Sequence, residues 1–219
     1  MTQTVHELET PVAGLHASAP EKLPFARSLD VRAFLLERTR GNLLVYSTST
    51  LGGDRPAFDA LGGVTRQYLN HHHEAAFSSD AIDAPLFVHE AERAEVARRL
   101  PVRATFSRRH MLDEDVELIP TPGHTPGATA LLWDTGEHRL LFTGDTLFLH
   151  HGEWRAAVLD SSDRDAYLES LALIRELDFD VLVPWAATRD APLVAHTGPA
   201  DRGRRIDAVI ERVRGGASG

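Results

Sequence analysis

The amino-acid sequence predicts one domain of the α/β or α+β class, built from two sheets with helices packed outside them. Three observations carry this expectation. Short apolar runs of strand length recur along the chain, bounded by Gly, Pro and Asn. Amphipathic helical stripes lie between and after groups of these runs. The 219 residues are enough for one sizeable hydrophobic core, and no long linker, repeat or low-complexity tract divides them.

The elements follow in order. Ala17–Pro24, with Ser18, Pro20 and Pro24, reads as a loop. Val31–Glu37 and Asn42–Tyr46 read as strands joined by a turn at Arg40–Gly41. Gly52–Gly53 breaks the chain, and Pro56–Leu61 makes a short helix closed by Gly62–Gly63. Val64–Leu69 is the next strand, and Leu86–Val88 a short buried one. Ala91–Leu100, rich in Ala, Glu and Arg, is a helix stopped by Pro101. Strands follow at Val116–Ile119, Ala128–Trp133 and Leu140–Phe142. Tyr167, Leu168, Leu171, Ile174 and Leu177 share one stripe of a helix capped by Ser162 with Asp165. Phe179–Val183 is the last strand. Ile206, Val209, Ile210 and Val213 mark a final helix stopped at Gly215.

Composition narrows the function. There is no cysteine, which excludes disulfides, zinc ribbons, thiol catalysis and iron–sulfur clusters. The 12 histidines must carry any nitrogen ligation of a metal. No apolar run reaches the ~20 residues of a membrane span, and Met1–Pro11 has neither the basic nor the apolar region of a signal peptide. A cytoplasmic protein with no membrane partner is expected. The net charge of −9 argues against a nucleic-acid partner. Arg98–Arg99, Arg108–Arg109 and Arg204–Arg205 read as solvated pairs. A small-molecule substrate is the expectation. A monomer and a homodimer both stay open, with Leu147–Phe148 and Trp154 at either a pocket mouth or a dimer contact.

Four segments carry chemistry, each directly after an expected strand: Asn70-His71-His72-His73-Glu74-Ala75-Ala76, Thr121-Pro122-Gly123-His124-Thr125-Pro126-Gly127, Thr143-Gly144-Asp145-Thr146-Leu147-Phe148 and Pro184-Trp185-Ala186-Ala187. A strand end holds side chains at a rigid rim. In an extended chain His71 and His73 point to one side and Glu74 to the other. His124 stands between two Pro-Gly turns, which stiffen its loop. Asp145 adds a carboxylate. Singly, each has an ordinary explanation as loop or turn chemistry. Together, three imidazoles and one carboxylate make a site for zinc or another divalent first-row metal.

This set resembles the metallo-β-lactamase superfamily, and most of all its glyoxalase II-type hydrolases. Members carry Thr-His-x-His-x-Asp-His, Pro-Gly-His-Thr-x-Gly, Gly-Asp-Thr-Leu-Phe and Pro-Gly-His-Gly in that order, and Gly41-Asn42-Leu43-Leu44-Val45 resembles their early strand. The resemblance covers roughly Val12 to Ala187 and implies an α/β fold of the αββα sandwich type, as a single domain, with the metal site on the shared edge of two sheets. It implies that His71, His73 and His124 bind a first metal and that Asp145 bridges to a second. The private ligands of that second metal are an Asp where this chain has Ala75, a His where it has Ala76, and a His where it has Ala186. One divalent metal is therefore expected: zinc first, with iron or manganese as alternatives.

Such a site lowers the pKa of a zinc-bound water to ~7, and Asp145 is either a fourth ligand or the general base. The implied function is a mononuclear metal-dependent hydrolase of a small ester, thioester, lactone or amide. The alternatives are a non-haem iron oxygenase and a non-catalytic metal-binding or interaction domain. His150, His151 and His196 are candidate replacement ligands. Trp185, His150 and His151 are candidates for the substrate pocket, Trp185 standing where relatives have glycine. No room is expected for the inserted domain of RNA-processing members. Only about 33 residues follow Ala186, too few for the glutathione-binding helical domain of glyoxalase II proper.

Overall fold

The computed structural model describes residues 8–78, 82–189 and 191–216. One layer is a seven-stranded sheet: Glu9–Val12, Leu15–Ala17, Phe34–Leu36, Leu43–Val45, Arg66–Tyr68, Leu86–His89 and Val102–Phe106, in that spatial order. The first four strands pair antiparallel, and the last three are added in parallel. Opposite it lies a six-stranded sheet in the order His110–Met111, Val116–Pro120, Thr129–Asp134, Arg139–Gly144, Val181–Pro184 and Ala195–His196. A five-stranded sheet continues this second layer: Glu153–Arg155, Phe148–His150, Ala186–Thr188, Leu29–Val31 and Glu21–Lys22. The chain steps between the two at Trp185, which sits between Val181–Pro184 and Ala186–Thr188.

Side-chain alternation dictates the stacking. In three adjacent strands of the six-stranded sheet, Leu131, Trp133, Leu140, Phe142, Val181 and Val183 join one core, and Ala130, Leu132, Leu141 and Leu182 the other. Residues two apart share a face, so strands buried on both faces read as unbroken apolar runs. The first core fills the space between the two layers, where Leu15, Phe34, Leu36, Leu43 and Val45 meet it.

The described residues form helices α1 (Leu51–Ala60), α2 (Arg93–Val96), α3 (Arg164–Glu176) and α4 (Pro199–Arg214). The second core lies beneath α3 and α4, through Tyr167, Leu171 and Ile174 of the one and Ile206, Val209, Ile210 and Val213 of the other. Each such aliphatic side chain contributes about 1.5–3 kcal/mol relative to exposure. Val96 of α2 packs on Leu86 and Val88 at the outer face of the first sheet. The order of layers is helix, sheet, sheet, helix. Among the described residues no helix is long and apolar enough to cross a membrane.

Several elements differ from the sequence expectation, each for a physical reason. Val31–Glu37 is not one strand: Leu29–Val31 belongs to the five-stranded sheet and Phe34–Leu36 to the seven-stranded one. At the crossing, the Ala33 N–H donates to the Ser18 hydroxyl oxygen and the Arg32 guanidinium donates to the Ser18 carbonyl, so these backbone groups stay satisfied. Gly52–Gly53 does not break the chain, because α1 runs through both and holds Pro56 inside. Its burial decides this: Leu51 and Phe58 enter the core, and the buried Asp54 carboxylate accepts the Ala19 N–H at 3.0 Å. Ala91–Leu100 shortens to a 3-10 turn, Glu90–Glu92, and the single α-turn of α2. The N-cap of α3 is Asp163, which accepts from Ala166 N–H at 3.0 Å; Ser162 is drawn instead to the His124 carbonyl at 3.1 Å. The expected loop 17–24 contains the strand Glu21–Lys22, and the hairpin Glu9–Val12 with Leu15–Ala17, turned by Gly14 at φ 76°, has no counterpart among the expected elements.

Candidate metal centre

Strand direction gathers the site. Val116–Pro120, Arg139–Gly144 and Val181–Pro184 all run the same way, since the first two each pair antiparallel with Thr129–Asp134 and the last two pair in parallel. Their C-terminal ends therefore release His124, Asp145 and Trp185 at one edge. His71 arrives from the other layer, three residues beyond Arg66–Tyr68. Asn70 ties the layers together just before it: its side-chain amide donates to the Thr129 carbonyl at 2.6 Å, and its own carbonyl accepts from Thr129 N–H at 3.0 Å.

The pairing of His71 and His73 does not come from strand alternation. His71 is extended (φ −159°, ψ 165°), but His72–Phe77 is a 3-10 helix, and His73 is its second residue. The imidazoles converge nevertheless. His73 Nδ1 lies 3.0 Å from His124 Nε2, and Asp145 Oδ2 lies 3.4 Å from both His71 Nε2 and His124 Nε2. The four donor atoms all fall within 4.8 Å of one another. In a tetrahedral zinc site, with bonds of ~2.0–2.1 Å, donor atoms stand about 3.3 Å apart.

The donor set fits a metal ion on a further observation. His71 Nε2 is buried and lacks a hydrogen bond of good geometry, and a buried ring nitrogen needs a partner, which a metal ion supplies once the ring has given up its extra proton. His124 Nδ1–H donates to the Ala157 carbonyl at 2.6 Å, which leaves Nε2 as a bare acceptor facing the same point.

Charge follows from these neighbours. Burial and the adjacent imidazoles pull His73 down to about 4. His124 also falls to about 4, through burial and the positive ring of His71. For His71 burial works against the charged form, but Asp145 and Glu74 on either side outweigh it and push the ring up to about 10. Burial opposes the Asp145 carboxylate too, yet His71 holds it below its ordinary value. The two shifts run together, favouring a protonated His71 beside an ionised Asp145 when no metal is bound.

Three residues outside the donor set hold it in place. Glu74 is fully buried, and its Oε1 accepts from Asn70 N–H at 3.0 Å and His71 N–H at 3.3 Å and lies 3.0 Å from His71 Nδ1. It stands on the Nδ1 side of His71, away from the point of convergence, placed there by the 3-10 turn and not by strand alternation, and backs the ligand ring. Glu92 joins the two histidine loops: Oε2 accepts from His72 N–H at 2.8 Å and meets His72 Nδ1 at 2.5 Å, and Oε1 accepts from Gly127 N–H at 2.6 Å. Tyr46, at φ 72°, donates its hydroxyl to the Val183 carbonyl at 2.6 Å and accepts Gly144 N–H at 3.0 Å, one residue before Asp145. Gly144 itself has φ 55°, and a β-carbon there would press on Asn70.

The remaining candidates are dispersed. His150 ends the strand Phe148–His150, with its ring 4.4 Å from that of the exposed His151. His196 lies on the edge strand Ala195–His196, 5.7 Å from His138. None of the three joins the cluster formed by the described residues. Trp185 does reach it: its ring packs edge-on against His71 at 5.5 Å and Phe77 at 5.2 Å, and its indole N–H donates to the Ser47 carbonyl at 3.0 Å. A cavity of about 250 Å³ opens beside Asp145, walled by Trp185, Ala186 and apolar side chains, without His150 or His151. Of the three alanines at positions 75, 76 and 186, only Ala186 lines it. Ala75 packs with Leu69, Leu86, Val88 and Val96, and Ala76 is exposed.

The sequence model of the metallo-beta-lactamase superfamily matches residues 54–186. That is more than half of the chain, and the protein belongs to this superfamily. Its structural neighbours have the same fold. A metallo-beta-lactamase from Hirschia baltica is 13% identical, with 93% of this chain and 97% of that chain covered at a TM-score of 0.65. A metallo-beta-lactamase family protein from Thermus thermophilus is 19% identical, with 93% and 80% covered and a TM-score of 0.61. An archaeal superfamily protein from Sulfolobus tokodaii is 15% identical, with 89% and 85% covered and a TM-score of 0.59. No curated protein matches the sequence significantly. The family generally binds divalent metals, and the His71, His73, His124 and Asp145 group could hold one.

Proposed function

We propose that this protein is a hydrolase of a small ester, thioester, lactone or amide that works with a single divalent ion, zinc in the first place, held by His71, His73 and His124. The convergence of three imidazole nitrogens and the Asp145 carboxylate on one buried point carries the proposal. When bound, the ion supplies Lewis acidity toward a carbonyl and lowers the pKa of water. The protein supplies the rest. His124 is fixed by the Ala157 carbonyl and His71 is backed by Glu74, so both present Nε2 in a set direction. Asp145 is ionised at neutral pH and its Oδ2 is within reach of the same point, where it accepts a proton as general base. Ala186 and Trp185 stand beside Asp145 where a second ion would need a ligand, which supports one ion rather than two.

The test is zinc-loaded protein beside His71→Ala, assayed on ester, thioester, lactone and amide panels, with oxygen uptake followed in an iron-loaded sample. Zinc-dependent hydrolysis lost in the variant is expected. Oxygen consumption without hydrolysis would replace this reading with an oxygenase. Tight metal binding with neither activity would leave a metal-binding domain.

A further inference from the structure

Beside the point of convergence the chain has built an apolar recess. Leu23, Leu29, Phe148 and Trp185 wall the 250 Å³ cavity that reaches Asp145, and Phe25 and Leu159 stand at its mouth. Phe25 is 78% exposed and Leu159 44%. Together with Met111 they are the large apolar side chains left most exposed among the described residues. A single exposed apolar residue needs no explanation, but two on the rim of one recess beside a candidate base mark a binding surface. Among the described lining residues the only charged side chain is Asp145 itself. No lysine or arginine among them stands there to receive an anion.

We propose that this recess takes a short, uncharged hydrocarbon group on the acyl side of the substrate, so that the protein acts on acyl compounds of small apolar acids. The proposal rests on the hydrolase reading above and specifies its substrate class. Size follows from the volume. It falls below the ~300–1,000 Å³ of pockets for drug-sized ligands, and a ~150 Å³ apolar cavity already takes up benzene. A chain of about six to eight carbons fits on that scale. An anionic tail placed here gives up its hydration against an apolar wall with no lysine or arginine among the described lining residues, which penalises it.

The experiment has two arms on the zinc-loaded full chain. In the first, para-nitrophenyl esters of acetate, butyrate, hexanoate and dodecanoate, and the hemisuccinate, are compared by kcat/KM. The expected values rise about three- to four-fold per methylene to hexanoate and fall for dodecanoate, with the hemisuccinate at least about ten-fold below butyrate. Phe25→Ser and Leu159→Ser, both at exposed positions, should each lower hexanoate turnover several-fold and flatten the series. In the second arm, calorimetry measures hexanamide and the anionic succinamate on the same proteins, and hexanamide alone should bind, more weakly in both variants. Zinc-dependent turnover with a flat series or a preference for the hemisuccinate overturns the recess assignment and leaves the hydrolase reading standing. Hexanamide binding that weakens in the variants, with no ester turned over, sinks the hydrolase reading and supports the recess. Neither binding nor turnover overturns both.

Discussion

Replacing Glu92 by alanine should loosen both histidine loops at once. Its carboxylate is 1% exposed and accepts the backbone N–H of His72 at 2.8 Å and of Gly127 at 2.6 Å. Burial alone would raise its pKa, but His72 and the two backbone donors outweigh burial and hold it at about 2 rather than 4.5. That difference corresponds to about 3 kcal/mol. The hydrogen bonds give a similar figure, since a bond to a charged acceptor contributes about 1.5–3 kcal/mol. Glu92→Ala leaves two buried donors without acceptors, so urea unfolding of the metal-free variant should show a loss of about 3 kcal/mol. Because the carboxylate is depressed in the folded state, its contribution is present above pH 4.5 and is lost as pH falls toward 2. Wild type should therefore lose this stability between about pH 5 and 2, and Glu92→Gln should lack that component of the decline. Metal affinity should fall about 10- to 100-fold in Glu92→Ala, as for other partners that orient ligands. A loss under about 1 kcal/mol with unchanged metal affinity would refute the reasoning.

Three further outcomes are expected. Tyr46→Phe removes the hydroxyl between Gly144 and Val183 and should cost about 2 kcal/mol by chemical unfolding, with weaker metal binding because Gly144 sets Asp145. Gly123→Ala should destabilise by at least about 2 kcal/mol, since Gly123 has φ 139° and a β-carbon there would run into the Tyr167 backbone; an unchanged melting temperature would contradict this. Zinc binding near neutral pH should release about one proton, because, against burial, Asp145 and Glu74 raise the His71 pKa above neutral and a ligand must be neutral. Calorimetry in buffers of different ionisation enthalpy reads that proton directly, and zero release would show that His71 carries no extra proton before the metal binds.

Much of this architecture is legible in residue order. Strands such as Thr129–Asp134 and Val181–Pro184 are buried on both faces, so their apolar runs announce themselves. His124 can be singled out because Pro122, Gly123, Pro126 and Gly127 leave its loop few conformations. His71 and His73 are also legible as a pair, but through the wrong geometry, since a 3-10 turn and not a strand brings them together. What stays hidden depends on contacts distant in sequence. Glu92 reads as one more polar residue of a charged helix until the fold carries it inward against His72 and Gly127. Tyr46 reads as a strand end, and nothing local announces its positive φ or its bond to Gly144. The recess is assembled from Leu23–Leu29, Phe148, Leu159 and Trp185, segments that no periodicity links.

The central claim is that one metal ion sits among His71, His73, His124 and Asp145. Elemental analysis of protein purified without a histidine tag, beside His71→Ala, tests it most directly. About one zinc, iron or manganese per chain, lost in the variant, is the predicted result. Two ions per chain would mean that a second set of ligands exists, and no ion after reconstitution would contradict the account.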